Sequence, residues 1–176
     1  MRLKPQDLMF LLKLVAIEKR SWSFNQLAIE LGMSPAEVHA CSKRAIKARL
    51  AIKLDGRIVP IIRNLNEFLI YGMKYVFLPT YGELTRGMPT SYAVAPLRSL
   101  FVEDNEPPPV WPFLDGLVRG VSFSPLYSSA PIAASNDGKL YELLALADAI
   151  RSGRKREQNL AIKELSKRLK EYDEIE

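Results

Sequence analysis

His39 and Cys41 are the single histidine and single cysteine of this 176-residue chain. A nucleophilic cysteine or serine needs an imidazole base that a third group orients, and a histidine-based metal centre needs several ligands. One imidazole is a poor basis for either, so no triad and no metal site is expected, and Cys41 reads as a small core residue. Glu103-Asp104 and Glu106 bring carboxylates together, but in a proline-flanked acidic loop that reads as a solvated turn. Neither a phosphate-cradling glycine loop nor paired-cysteine zinc spacing is present. The chain is therefore expected to be no enzyme and to carry no cofactor.

The remaining polar chemistry is basic and one-sided. Residues 1–64 hold 12 Lys and Arg against 5 Asp and Glu, a net +7. Residues 65–138 are at −3 and residues 139–176 at +1. An excess of cations confined to one segment is the footprint of a module that meets phosphates. Lys43, Arg44, Lys47, Arg49, Lys53 and Arg57 supply half of those 12.

The elements that must hold these residues can be read locally. Phe24, Leu27, Ala28 and Leu31 recur at helical spacing, and Gly32 follows where a helix ends in a left-handed residue. Met33 can plug the corner. Ser34-Pro35-Ala36-Glu37 opens the next helix, with Ser34 at the N-cap, Pro35 at the first helical position and Glu37 able to complete a capping box. The spacing predicts this helix over residues 35–49, with Val38, Cys41, Ala45 and Leu50 inward. Ala36, His39, Ala40, Lys43, Arg44 and Lys47 then face outward. Asp55-Gly56 between two apolar runs predicts a hairpin directly afterwards, with Lys53 and Arg57 at its base. Leu8, Leu11, Leu12 and Val15 give a supporting helix entered through Pro5.

This order of helix, helix, capped helix and hairpin resembles the MarR-like winged-helix regulators over roughly residues 5–62. The resemblance implies an N-terminal winged helix-turn-helix, residues 1–73, that binds double-stranded DNA. The lone cysteine fits a reducing cytoplasm, and because one recognition helix reads few base pairs, a homodimer reading two half-sites is expected. Ser34 at the N-cap is a DNA-binding candidate, and Ala36, His39 and Ala40 would lie near base edges. Lys43, Lys47, Arg49, Lys53 and Arg57 would hold the backbone, and Arg44 is the candidate for a bidentate contact to guanine. The alternative is a winged helix that serves as scaffold or protein-docking module.

Asn64 and Glu67 resemble a second capping box, opening a fourth helix that ends near Gly72. Nine of the 12 prolines then fall between Lys74 and Ser135. This segment, residues 74–135, is expected to be ordered but irregular, with short strands around Val118–Phe123, because its many aromatics suit a wrapped surface. Trp111 and Arg86 are candidate partner contacts. The stretch Thr80–Thr90 reads either as a surface loop with an arginine staple or as backbone closely approached by something else. Residues 136–176 predict a helical hairpin, capped by Asn136 or Asp137 and broken at Gly153. Its apolar stripe either completes the core or forms a dimer seam. Arg151, Arg154 and Arg156 form a basic corner or a site for a partner's acidic face.

The fold class expected is mainly α with a small β wing, α+β overall. The pattern Leu140–Arg154, following Tyr81-Gly82 and Leu84-Thr85-Arg86-Gly87-x-Pro89-Thr90, also resembles a family of bacterial winged-helix proteins encoded beside nucleotidyltransferases. That resemblance implies an antitoxin that binds a toxin partner and represses its own operon. No apolar run approaches a membrane span and no secretion signal opens the chain, so neither membrane nor export is expected.

Overall fold

The computed structural model describes residues 1–102 and 105–175. The turn expected at Glu103-Asp104 lies outside the described residues. The fold is α+β, mostly helical, with two small sheets.

Helix α1 (Pro5–Ile17) starts at a proline, and the Lys4 N–H donates to the Asp7 carboxylate. Leu8 through Ala16 are all buried, and all but Lys13 are apolar, so α1 lies inside the molecule. Helix α2 (Phe24–Leu31) is capped by Ser23, whose hydroxyl accepts from the Gln26 N–H. Gly32 ends it at φ 63°, and the Met33 N–H returns to the Ala28 carbonyl. A side chain at Gly32 would carry the left-handed penalty and press on Ser129. Helix α3 (Pro35–Lys47) opens with the Ser34 hydroxyl accepting from the Glu37 N–H. The Glu37 carboxylate does not reach back to complete a capping box; it takes bonds from Gln6 and Arg44 instead.

Arg49 turns the chain at φ 60°, and its carbonyl accepts from the Asn64 side chain. Strands β1 (Ala51–Leu54) and β2 (Arg57–Pro60) then pair antiparallel through a two-residue turn, Asp55 and Gly56, with φ of 48° and 81°. Both central residues at positive φ match the twist of a tight hairpin. Helix α4 (Ile62–Glu67) begins before Asn64, so the second capping box is not formed. The helix runs on through a π-helical turn (Phe68–Gly72) into α5 (Met73–Val76), past the end expected at Gly72.

The proline-rich middle is more regular than its composition suggests. Strand β3 (Tyr81–Pro89) pairs antiparallel with both β4 (Pro109–Pro112) and β5 (Val118–Phe123), and β4 pairs parallel with β5, closing a three-stranded sheet. The Thr80–Thr90 stretch thus holds a nine-residue strand, Tyr81–Pro89, and the surface-loop reading gives way to the close-approach one. A Cβ on Gly87 would collide with the Trp111 carbonyl and one on Gly120 with the Pro108 carbonyl, so glycine lets β4 cross the inner face of β3 and β5.

Helix α6 (Ala130–Ser135) leads into α7 (Gly138–Ser152), capped by Asp137 accepting from the Leu140 N–H. Helix α7 is buried on nearly every side, and α8 (Lys155–Ile175) packs along it through Ala161, Leu165, Leu169 and Tyr172. The α7 stripe thereby completes the core. One apolar cluster runs from Leu8 to Tyr172 through all three segments of the chain.

Among the described residues two ionic clusters fasten α7, one part-buried and one buried. Lys13 of α1 bonds to Glu30 at 2.8 Å and to Asp137 at 2.6 Å. Asp148 accepts from Thr90 at 2.7 Å and from the Trp111 indole at 2.8 Å, and pairs with Arg151 at 2.7 Å. Burial pushes the Asp148 carboxyl up, and Arg151, Thr90 and Trp111 oppose it.

Candidate nucleic-acid interface

Successive side chains of an α-helix point about 100° apart. On α3 this sets Val38, Cys41 and Ala45 against α1 and α2, where all three are buried. Ala36, His39, Lys43 and Lys47 lie on the opposite, exposed arc, with Ala40 half-buried beside them. His39 rests against Phe24, centroids 5.0 Å apart, at the end of an edge-on series through Trp22 to Phe10. Ser34 is exposed at the head of the helix, and Arg49 is exposed just past its end.

The hairpin stands beside this arc. Lys53 and Arg57 are both exposed on it. A cleft of about 940 Å³ opens between α3, the hairpin and residues 18–24. Lys19, Arg20, Lys43, Lys53 and Arg57 line it, with Glu18 and Asp55 as its acids. Lys19 and Arg20 are contributors that the sequence reading missed. Their signal was two adjacent cations in the loop before α2, which only the fold brings beside the hairpin.

The acids of this region are mostly engaged elsewhere. Glu30 takes Arg20 and Lys13; burial raises its pKa, but these bonds and charges prevail and hold the carboxyl below its ordinary value. Glu37 behaves likewise, its burial outweighed by Gln6 and Arg44. Glu18 pairs with Lys139. By contrast Lys43, Lys47, Arg49, Lys53 and Arg57 form no ion pair among the described residues.

Arg44 is the exception to the expected placement. It stands 8% exposed, 2.7 Å from the fully buried Asp7 and 2.9 Å from Glu37. One residue beyond Lys43, the helix has turned toward the first turn of α1, where Asp7 waits. Its guanidinium is committed inside the protein and is not presented to a groove. The bonds to Asp7 and the one to Glu37 outweigh burial and hold it more strongly protonated than usual. Burial, then Asp7, pushes the Cys41 thiol well up, so no thiolate nucleophile forms there.

The expected partner contacts divide in the same way. Trp111 is 1% exposed and donates to Asp148, and Arg151 is buried, donating to the Phe77 and Ser124 carbonyls. Both are core ties and present nothing to a partner. Arg154 is exposed, 3.6 Å from Glu106, and Arg156 lies over the Phe101 ring. Arg86 is exposed on β3.

Among the described residues no helix is long and apolar enough to cross a membrane. No family model, no curated protein and no solved structure matches the chain.

Proposed function

We propose that the chain is a sequence-specific DNA-binding regulator of transcription, built as a winged helix-turn-helix with α3 as recognition helix and the β1–β2 hairpin as wing. One observation carries this reading. The exposed arc of α3 and the hairpin beside it present Lys43, Lys47, Lys53 and Arg57 without ion partners among the described residues, while Glu18, Glu30 and Glu37 are neutralised by other residues and Asp55 at the hairpin tip is the exception. A protein surface leaves such charge uncompensated at a cost in self-repulsion, which a phosphate backbone relieves. Ala36 and Ala40 are small enough to let the helix sit deep in a major groove, and His39 offers a donor and an acceptor to base edges. Because one helix reads few base pairs, the regulator acts as a homodimer on two half-sites and represses its own operon.

The test is binding of the purified protein to its own upstream DNA and to a scrambled duplex across a salt series. The reading expects preference for the upstream duplex by about 10³-fold or more, and affinity falling steeply with salt. Equal, weak binding to both duplexes would remove the regulatory role.

A further inference from the structure

Strands β3 and β5 place Arg86 directly opposite Arg119, and Leu84 directly opposite Val121. Directly opposed residues of an antiparallel pair share one face. Their other face is the glycine side crossed by β4, so this one points outward. Both arginines are exposed, Leu84 is 49% exposed, and Leu117, two residues ahead of Arg119, is 98% exposed. The face therefore reads in rows, an aliphatic pair and a pair of guanidiniums, with an exposed leucine just before β5 begins.

Two like charges opposed across a ladder are destabilising. Neither arginine has an acidic partner among the described residues. The pair is also out of keeping with its surroundings: residues 65–138 hold only four Lys and Arg against seven Asp and Glu, and two of the four stand here. An anion is wanted at one point on an otherwise acidic segment flanked by aliphatic surface. A nucleic acid strand would find no further cation on the aliphatic surface to either side. A single carboxylate between apolar side chains would need none.

We propose that this face docks an acidic, amphipathic helix of a partner protein, with a glutamate or aspartate between Arg86 and Arg119 and aliphatic side chains on Leu84–Val121 and Leu117. The spacing suits a helix. Rows two residues apart along a strand are separated by about 7 Å, and residues four apart on a helix by about 6 Å. A Leu, Glu, Leu series at four-residue intervals therefore falls on the aliphatic row, the arginine row and Leu117 in order. This site uses residues apart from α3 and the hairpin and stands independently of DNA binding.

The probe is a fluorescein-labelled helical peptide of about 15 residues carrying that series, titrated with the full chain by anisotropy. Saturable binding is expected. The double variant R86E/R119E should weaken it by at least about tenfold, and should bind the matching peptide in which the central Glu is Lys. Circular dichroism confirms that the variant folds. Absence of saturable binding, or equal binding by the variant, overturns the proposal. So does displacement of the peptide by a single-stranded oligonucleotide, which would make the face a nucleic-acid site. Self-association of the chain that R86E/R119E abolishes would assign the face to a second copy instead.

Discussion

Arg44 and Asp7 hold α3 against α1 through a buried ion pair, the guanidinium Nη2 standing 2.7 Å from one carboxylate oxygen and Nε 2.8 Å from the same atom. The pair lies on the flank of α3, between the exposed arc and the buried face. It fixes the rotation of the helix about its own axis, and so decides which side chains form that arc. Arg44 serves the candidate interface by position and not by contact.

Arg44→Ala should therefore act on stability first. It strands a fully buried carboxylate, a loss that costs about 3–5 kcal/mol when one partner of a buried pair is removed. Replacing both partners, Arg44→Met with Asp7→Leu, should recover much of that. Urea denaturation of the three proteins checks the expectation. A loss below about 1 kcal/mol for Arg44→Ala would mean that the pair is solvated and the arc is set by packing alone.

The contrast between Lys43 and Arg44 shows where sequence reading stops. Adjacent cations near the edge of an exposed arc look alike in a helical pattern. Their fates part because Asp7 lies 37 residues away on another helix. Local signals were readable: Ser34, Gly32, Asp137 and Asp55-Gly56 act within a few residues of themselves, and each sits where cap or turn chemistry places it. Apart from the strand expected around Val118–Phe123, the three-stranded sheet was not, because β3 finds β4 and β5 across 21 to 42 residues. Its prolines and glycines, which read as loop, are what allow the backbones to cross. Trp111 was read as a partner contact for the same reason, since its acceptor Asp148 is 37 residues on.

Lys43→Ala and Lys47→Ala should each weaken every duplex and lower the salt slope by about one, with sequence preference kept. The paired measurement is affinity against salt for upstream and scrambled DNA. A change in preference without a change in slope would move Lys43 from the backbone to the base edges.

Thr90→Val keeps the shape of the side chain and removes a donor to the buried Asp148 carboxylate. Hydrogen bonds to charged groups contribute about 1.5–3 kcal/mol, so a loss of this order is expected at neutral pH. Burial has already raised the Asp148 pKa. A raised carboxyl favours the protonated form in the folded state, so falling pH relieves its burial. The cost of Thr90→Val should accordingly shrink as the pH falls through the folded-state value of Asp148. Thermal unfolding of both proteins from neutral to mildly acidic pH decides the point, and a cost that grows on acidification would place the proton elsewhere.

Glu37 carries the opposite sign. Its pKa is lowered, with burial overcome by Gln6 and Arg44, so the folded state favours the carboxylate. That stabilisation is intact above the ordinary glutamate range and is lost as pH falls from there through the lower folded value. Glu37→Gln removes the titrating group, yet its amide oxygen can still accept from Gln6 and Arg44. The variant should be less stable than the parent at neutral pH, because a charged bond to Arg44 becomes a neutral one. The two should converge on acidification, since the parent protonates while the variant does not. Unfolding free energies from urea titrations at several pH values measure this directly. Parallel curves would show that Glu37 does not discriminate between its two protonation states, and that Asp7 alone holds Arg44 in place.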